Sequence, residues 1–411
     1  MRSRTNPFVL VAGVYLTAGL VALATSIAVA AGLIDGLPRL RWVTVHLVTI
    51  GGLTQAVFGL LPSLLGGDVA STTGSRWTQW LFLNAGYPLV VLGMVTGSAT
   101  TALAGAAGVL LALALLLATV LGTTGSGPAA EYYRTAPWFL VAGIAAAAGL
   151  LLHRYGPGGY VGLLEAHVHA NVWGLLGLVV AGALLTLLPP MLGASLRYPR
   201  LVPVTFWGLT LGALGLVAGP PLALAALTLA GLAGYLTGTV ALLANVVGTA
   251  RTSGWTQPSR LALVVGAYLW LVAPIPVAPF VLLAPTAVPV GAIEAAAITA
   301  LVLGWMLQLA MAFLPVMVVA TQRPAEESLV ERTASAAARD APSWVQVATL
   351  NVGVGLLWLR AVPQLSGSVA DLTVGGSALV AVAWLLFVRS FWGSLLTAGE
   401  GRRSRVARDS P

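Results

Sequence analysis

The chain has no cysteine and no lysine, and charged residues of any kind make up only 8% of its 411 residues. The first absence excludes structural disulfides, thiolate metal sites and cysteine nucleophiles, so any metal must be held by histidine, methionine or oxygen. It leaves the redox compartment open. The shortage of charge, with 58% hydrophobic residues and a mean hydropathy of +0.94, lies far outside the range of a soluble domain and leaves no room for one. Every basic residue is arginine and the net charge is +8. These arginines lie in short loops and tails without interleaved aromatics, which argues against nucleic acid as a partner and for a role in membrane orientation.

Apolar runs fill the rest of the chain, each able to cross roughly 30 Å of hydrocarbon as a helix of about 20 residues. Breaks at Pro, Gly, Ser and Arg clusters divide them into twelve spans, centred near residues 20, 54, 88, 112, 145, 177, 210, 235, 271, 304, 351 and 387. The expected fold is therefore an all-α polytopic membrane protein in a lipid bilayer. The run over residues 7–34 is too long for a signal-peptide core and lacks a small-residue cleavage site, so it reads as a retained first helix.

An even number of spans puts both termini on one side. That side would carry Arg2, Arg4, Arg76, Arg134, Arg197, Arg200, Arg251, Arg260, Arg323, Arg332, Arg339, Arg402, Arg403, Arg405 and Arg408. Only Arg39, Arg41, Arg154 and Arg360 fall on the other side, with Arg389 inside the twelfth span. The positive-inside rule then makes both termini cytoplasmic in a cell membrane, and places His46, His153, His167 and His169 toward the outer face.

An internal repeat organises these spans. "HLVTIGGLTQAVFGLLP" from His46 aligns without a gap with "TALVLGWMLQLAMAFLP" from Thr299, matching Gly51 with Gly304, Gln55 with Gln308 and Pro62 with Pro315. His169 and Gly174 keep the spacing of His46 and Gly51. Spans 2, 6 and 10 are four apart, which predicts three four-helix arcs over about residues 7–124, 136–248 and 260–398, followed by a basic tail at 399–411. Spans 2, 6 and 10 would be the inner ones. Residues two apart on an α-helix are separated by about 200°, so His167 and His169 should look in opposite directions rather than chelate one ion.

The pieces "PRLRWVTVHLVTIGGLTQAVFG" and "AHVHANVWGLLGLVVAGALLTLLP" resemble the second helix and the His-x-His helix of the haem-copper oxidase catalytic subunit, a family of twelve helices in three arcs. The resemblance implies that His46 is an axial ligand of a low-spin haem and that Arg360 pairs with haem propionates. There are departures. The His-x-His helix is the sixth span here and the tenth in the family, span 10 has no histidine, and span 7 has no copper ligands. Those losses argue against copper and against dioxygen reduction at a haem-copper centre. A looser similarity is to the NnrS-type membrane haem proteins linked to nitric oxide response.

A b-type haem needs one or two axial imidazoles, an apolar slot and cationic groups for its propionates. His46 and His169 are expected to face each other across one slot, with Gly51 and Gly174 letting a flat macrocycle approach the backbone. Glu165, one turn before His169, could accept its second ring proton and fix the tautomer. Arg39, Arg41, Arg154 and Arg360 are the outer-face candidates for propionates, and His167 would face away from that slot. Buried structural histidines, and another metal site, remain alternatives. Gln55, Gln308, Asn84 and Asn171 are expected to bridge helices by hydrogen bonds, Glu294 to sit near the outer mouth, and Arg389 to snorkel.

Two functions follow from different classes. One is a haem-binding membrane protein handling electrons or nitric oxide, with a redox partner on the outer face. The other is a haem-free transporter or scaffold with the same shell. The topology is testable directly: a reporter fused after Pro411 should signal from the cytoplasm, and a signal from outside would reverse the orientation of every histidine.

Overall fold

In a computed structural model, residues 6–66, 73–123, 127, 129–322 and 328–409 are described. Arg2, Arg4, Arg323 and Pro411 lie outside them. Among the described residues every regular element is helical. Ten helices among the described residues are long and apolar enough to cross a membrane. In chain order, α1 is Pro7–Ala30, α2 Leu40–Leu64, α3 Gly74–Thr96, α4 Ala99–Leu121, α5 Ala130–Leu151, α6 Gly159–Met191, α7 Pro199–Ala218 and α8 Ala225–Thr252. The shorter apolar helix Pro258–Val272 is α9, Val290–Thr321 is α10, the shorter Trp344–Leu359 is α11 and Val369–Leu396 is α12. The last of these continues as helix to Asp409, through the stretch expected as a tail.

The chain packs as two units, Met1–Ala56 with Gln257–Pro411, and Val57–Thr256. The boundary falls inside α2. The three-arc division at about residues 124–136 and 248–260 is a different partition, based on sequence periodicity instead of packing density.

Helix ends follow their local chemistry. Asn6 and Ser98 accept backbone N–H bonds at the starts of α1 and α4, and Ser343 does so at the start of α11. Exposed Trp77, Trp255 and Trp344 flank the ends of α3, α8 and α11 that the arginine pattern assigns to one side, as expected for an interfacial aromatic belt.

Burial separates the helices into two classes. In α2, α6 and α10 the apolar stretch is 72%, 83% and 83% buried, whereas it is between 28% and 50% buried in the other long helices, which were expected to lie outside. The outer helices pair as hairpins whose backbones touch at glycine. In the α7–α8 hairpin a Cβ on Gly208 would lie 2.7 Å from the Gly238 Cα, and one on Gly215 2.7 Å from the Gly231 Cα. In α3–α4, a Cβ on Gly86 would meet the Gly105 carbonyl oxygen at 2.7 Å, and in α11–α12 one on Gly353 would meet the Gly376 oxygen at the same distance. Lipid tails are as apolar as leucine, so such helices gain from close backbone packing rather than from escape from water.

The inner helices run unbroken but are not α-helical throughout. Each contains a π-helical segment: Leu47–Thr54 in α2, Ala170–Leu176 in α6 and Ala300–Met306 in α10. They begin one residue after His46, His169 and Thr299, the three positions that the repeat alignment superposes. A π turn accommodates an extra residue, and each extra residue shifts the downstream face by about 100° relative to a regular helix. Replacing Gly208 by Leu should destabilise the second unit by about 1–3 kcal/mol through overpacking against Gly238, read as a lower thermal midpoint in detergent; an unchanged midpoint would mean that the α7–α8 contact is not close.

Candidate histidine site

The histidine pair on α6 divides as the 200° separation requires. The His167 Nδ1 is 2.8 Å from the Gly143 carbonyl oxygen on α5, and the His169 Nδ1 is 3.0 Å from the Leu216 carbonyl oxygen on α7. A carbonyl can only accept, so Nδ1 carries the proton in both rings and Nε2 keeps its lone pair. Sequence explains why Leu216 is available. The residue four further on is Pro220, which has no N–H, so the helical partner of that carbonyl is missing.

Glu165 does not orient His169. The Leu216 carbonyl holds the ring instead, which corrects the expectation of a carboxylate partner: same-face spacing permits contact, but the tertiary carbonyl occupies the ring nitrogen. Asn171 likewise bonds within its own helix, its Nδ2 donating to the His167 carbonyl at 2.7 Å, and it fills the space beside Gly143 where a side chain would sit. Asn84 donates to the Trp80 carbonyl four residues back. Gln308 is fully buried with neither amide atom hydrogen-bonded. A bridge between helices runs from Trp270 Nε1 to Asn351 Oδ1 at 2.9 Å, between α9 and α11.

In the first unit His46 stacks on Trp42, with ring centroids 3.8 Å apart and planes inclined by 22°, and its Nδ1 lies 2.8 Å from the Trp42 carbonyl oxygen. Its tautomer is therefore the same as that of the α6 pair. In the second unit His169 meets Trp173 edge-on at 5.9 Å, and Trp173 meets Tyr235 at 4.5 Å. His153 sits apart, exposed just past the end of α5 with a φ of 53°, its Nδ1 2.8 Å from the Tyr155 hydroxyl.

The aligned glycines have a different use from the one expected. A Cβ on Gly51 would lie 2.6 Å from the Tyr15 ring and one on Gly304 2.6 Å from the Trp270 ring, while Gly174 is covered in the same way by Phe139. Each of these three aligned glycines thus seats an aromatic from the helix before it, namely α1, α5 or α9. These faces are filled by protein rather than open to a macrocycle. The aromatics were missed because Tyr15, Phe139 and Trp270 share only ring character, a weak signal against sequence identity.

The arginines separate as well. Arg39 is the exposed, left-handed residue before α2, with a φ of 56°, and Arg154 is exposed beside His153. Arg41 donates from Nη2 to the Ala295 carbonyl at 3.2 Å. Arg360, half-buried at the end of α11, has a buried Nε with no hydrogen-bond partner. Burial, and then the nearby charge of Arg41, lowers its guanidinium below the ordinary value. Arg41 and Arg360 are thus two neighbouring cations on the first unit. Glu294 is exposed, as is Arg389 on the outward face of α12.

Among the described residues no three His, Asp or Glu side chains converge as a metal cage. A metal that brings its own equatorial ligands needs only one or two imidazoles. The sequence matches no protein-family model and no curated protein. In protein carrying 15N-labelled histidine at pH 8, the His167 and His169 rings should show a protonated Nδ1 and an unprotonated Nε2; the opposite tautomer would remove both carbonyl bonds.

Proposed function

We propose that the chain is a haem-binding membrane protein of twelve spans with both termini cytoplasmic, with His46 and His169 as its candidate iron ligands. The observation that carries the reading is the shared tautomer. His46, His167 and His169 are each tied at Nδ1 to a backbone carbonyl, which fixes the ring's orientation, and in His167 and His169 this leaves the Nε2 lone pair for a metal, the arrangement by which a protein prepares an axial ligand. The bound group would be a b-type haem, supplying one-electron redox chemistry or binding of a diatomic such as nitric oxide. Arg41 and Arg360 provide adjacent cations for its carboxylates. Trp42 restrains the His46 ring, and Trp173 restrains that of His169. Electrons would arrive from a partner on the outer face.

The competing reading, a haem-free transporter or scaffold, is favoured by Gln308, a fully buried amide without a partner in the middle of an inner helix. A visible absorption spectrum separates the two. Protein expressed with haem supplied should show a Soret band that shifts on reduction. Replacing His169 by Ala should abolish or strongly alter the low-spin signal, whereas His167→Ala should retain it, because the two rings face different helices. Stoichiometric protein without a Soret band would overturn the haem reading, and equal loss from both variants would overturn the assignment of His169.

A further inference from the structure

We propose that residues 328–343 form a reversible strap across one end of the first unit, closed by a polar latch on Arg260 rather than by apolar packing. This does not depend on the haem reading. The strap begins with a self-contained helix, Leu329–Ala337. Ser328 Oγ accepts the Glu331 N–H at 3.2 Å, and the Glu331 carboxylate accepts the Ser328 N–H at 2.9 Å. The Ser328 N–H and then its hydroxyl, both donating to the Glu331 carboxylate, hold that carboxyl below its ordinary value, so the helix needs no partner to cap its start.

What the helix buries is small. Its fully buried side chains are Thr333, Ala336 and Ala337, with Thr333 against Met317 of α10, and its two larger apolar residues, Leu329 and Val330, are only half-buried. Methyl-sized groups give little area with which to hold a helix down. The firm contacts are polar and come from the start of α9. Gln257 Nε2 donates to the Ala337 carbonyl at 3.0 Å, and Arg260 donates to the carbonyls of Asp340 and, on α10, Ala312. Ser390 of α12 donates to the Asp340 carboxylate at 3.4 Å.

Arg260 is 1% exposed. A guanidinium so deeply buried requires acceptors, and the strap contributes one of its two carbonyls while excluding water from it. With the strap lifted, water can replace the Asp340 carbonyl, so the open state carries no orphaned charge. The device is therefore bistable at modest cost: closed by Arg260 and Gln257, open by hydration of the same groups.

The absence of native cysteine makes a direct test simple. Ala337→Cys puts a single thiol beneath the strap, and Ala338→Cys puts one on its exposed side. With a membrane-impermeant maleimide, the Ala337→Cys protein should react far more slowly than Ala338→Cys. Adding Arg260→Met, which keeps apolar volume but removes the donors, should speed Ala337→Cys labelling by about tenfold or more, with helical circular dichroism unchanged. Adding Gln257→Ala should speed it severalfold, and this variant decides the matter if Arg260→Met fails to fold. Equal labelling of the two thiols in the parent, or no acceleration with either latch variant, would overturn the proposal.

Discussion

A backbone inside hydrocarbon has no water to bond, so every N–H and C=O must be satisfied by the chain itself, and this constraint shapes every part of the molecule. Helices satisfy it locally, which is why the described residues contain no other regular element. Where the helical pattern lapses, the freed groups find specific partners. Pro220 leaves the Leu216 carbonyl without its helical donor, and the His169 ring takes that place. The histidine site thus arises from the same backbone accounting as the fold.

With no hydrophobic drive between helices in lipid, cohesion depends on contact distance. Glycine sets that distance in two ways. On the outer hairpins glycine meets backbone, as Gly215 meets Gly231, and on the inner helices it meets an aromatic ring, as Gly51 meets Tyr15. The second arrangement coincides with the π segments. In α6 the two histidines precede the π segment, and Trp173 within that segment meets Tyr235 of α8 to continue the buried surface. The buried guanidinium groups sit at helix ends, as with Arg260 at the start of α9 and Arg360 at the end of α11.

Much of the site was legible in advance because it depends on helical angle alone. The opposed directions of His167 and His169 follow from two residues at 100° each, and the alignment of His46, His169 and Thr299 located the starts of the three π segments without foretelling that they were π-helical. The partners were not legible. Glu165 has the right spacing to reach His169, yet a carbonyl 47 residues away holds the ring. Asn171 has the chemistry of a helix bridge, yet its own helix supplies a nearer acceptor. Spacing within a helix is fixed by geometry, whereas a choice among acceptors depends on which neighbouring helix comes close.

By itself the sequence determined the class of molecule and the burial of its inner helices. Composition leaves no alternative to membrane helices, and repetition at a four-span interval singled out α2, α6 and α10. Only the tertiary structure decided what the aligned glycines receive, which carbonyls orient the imidazoles, and that Arg260 grips the segment after α10. The reason is physical. Hydropathy and helical periodicity are properties of one segment, but a notch beside Gly174 has no meaning until Phe139 of another helix fills it.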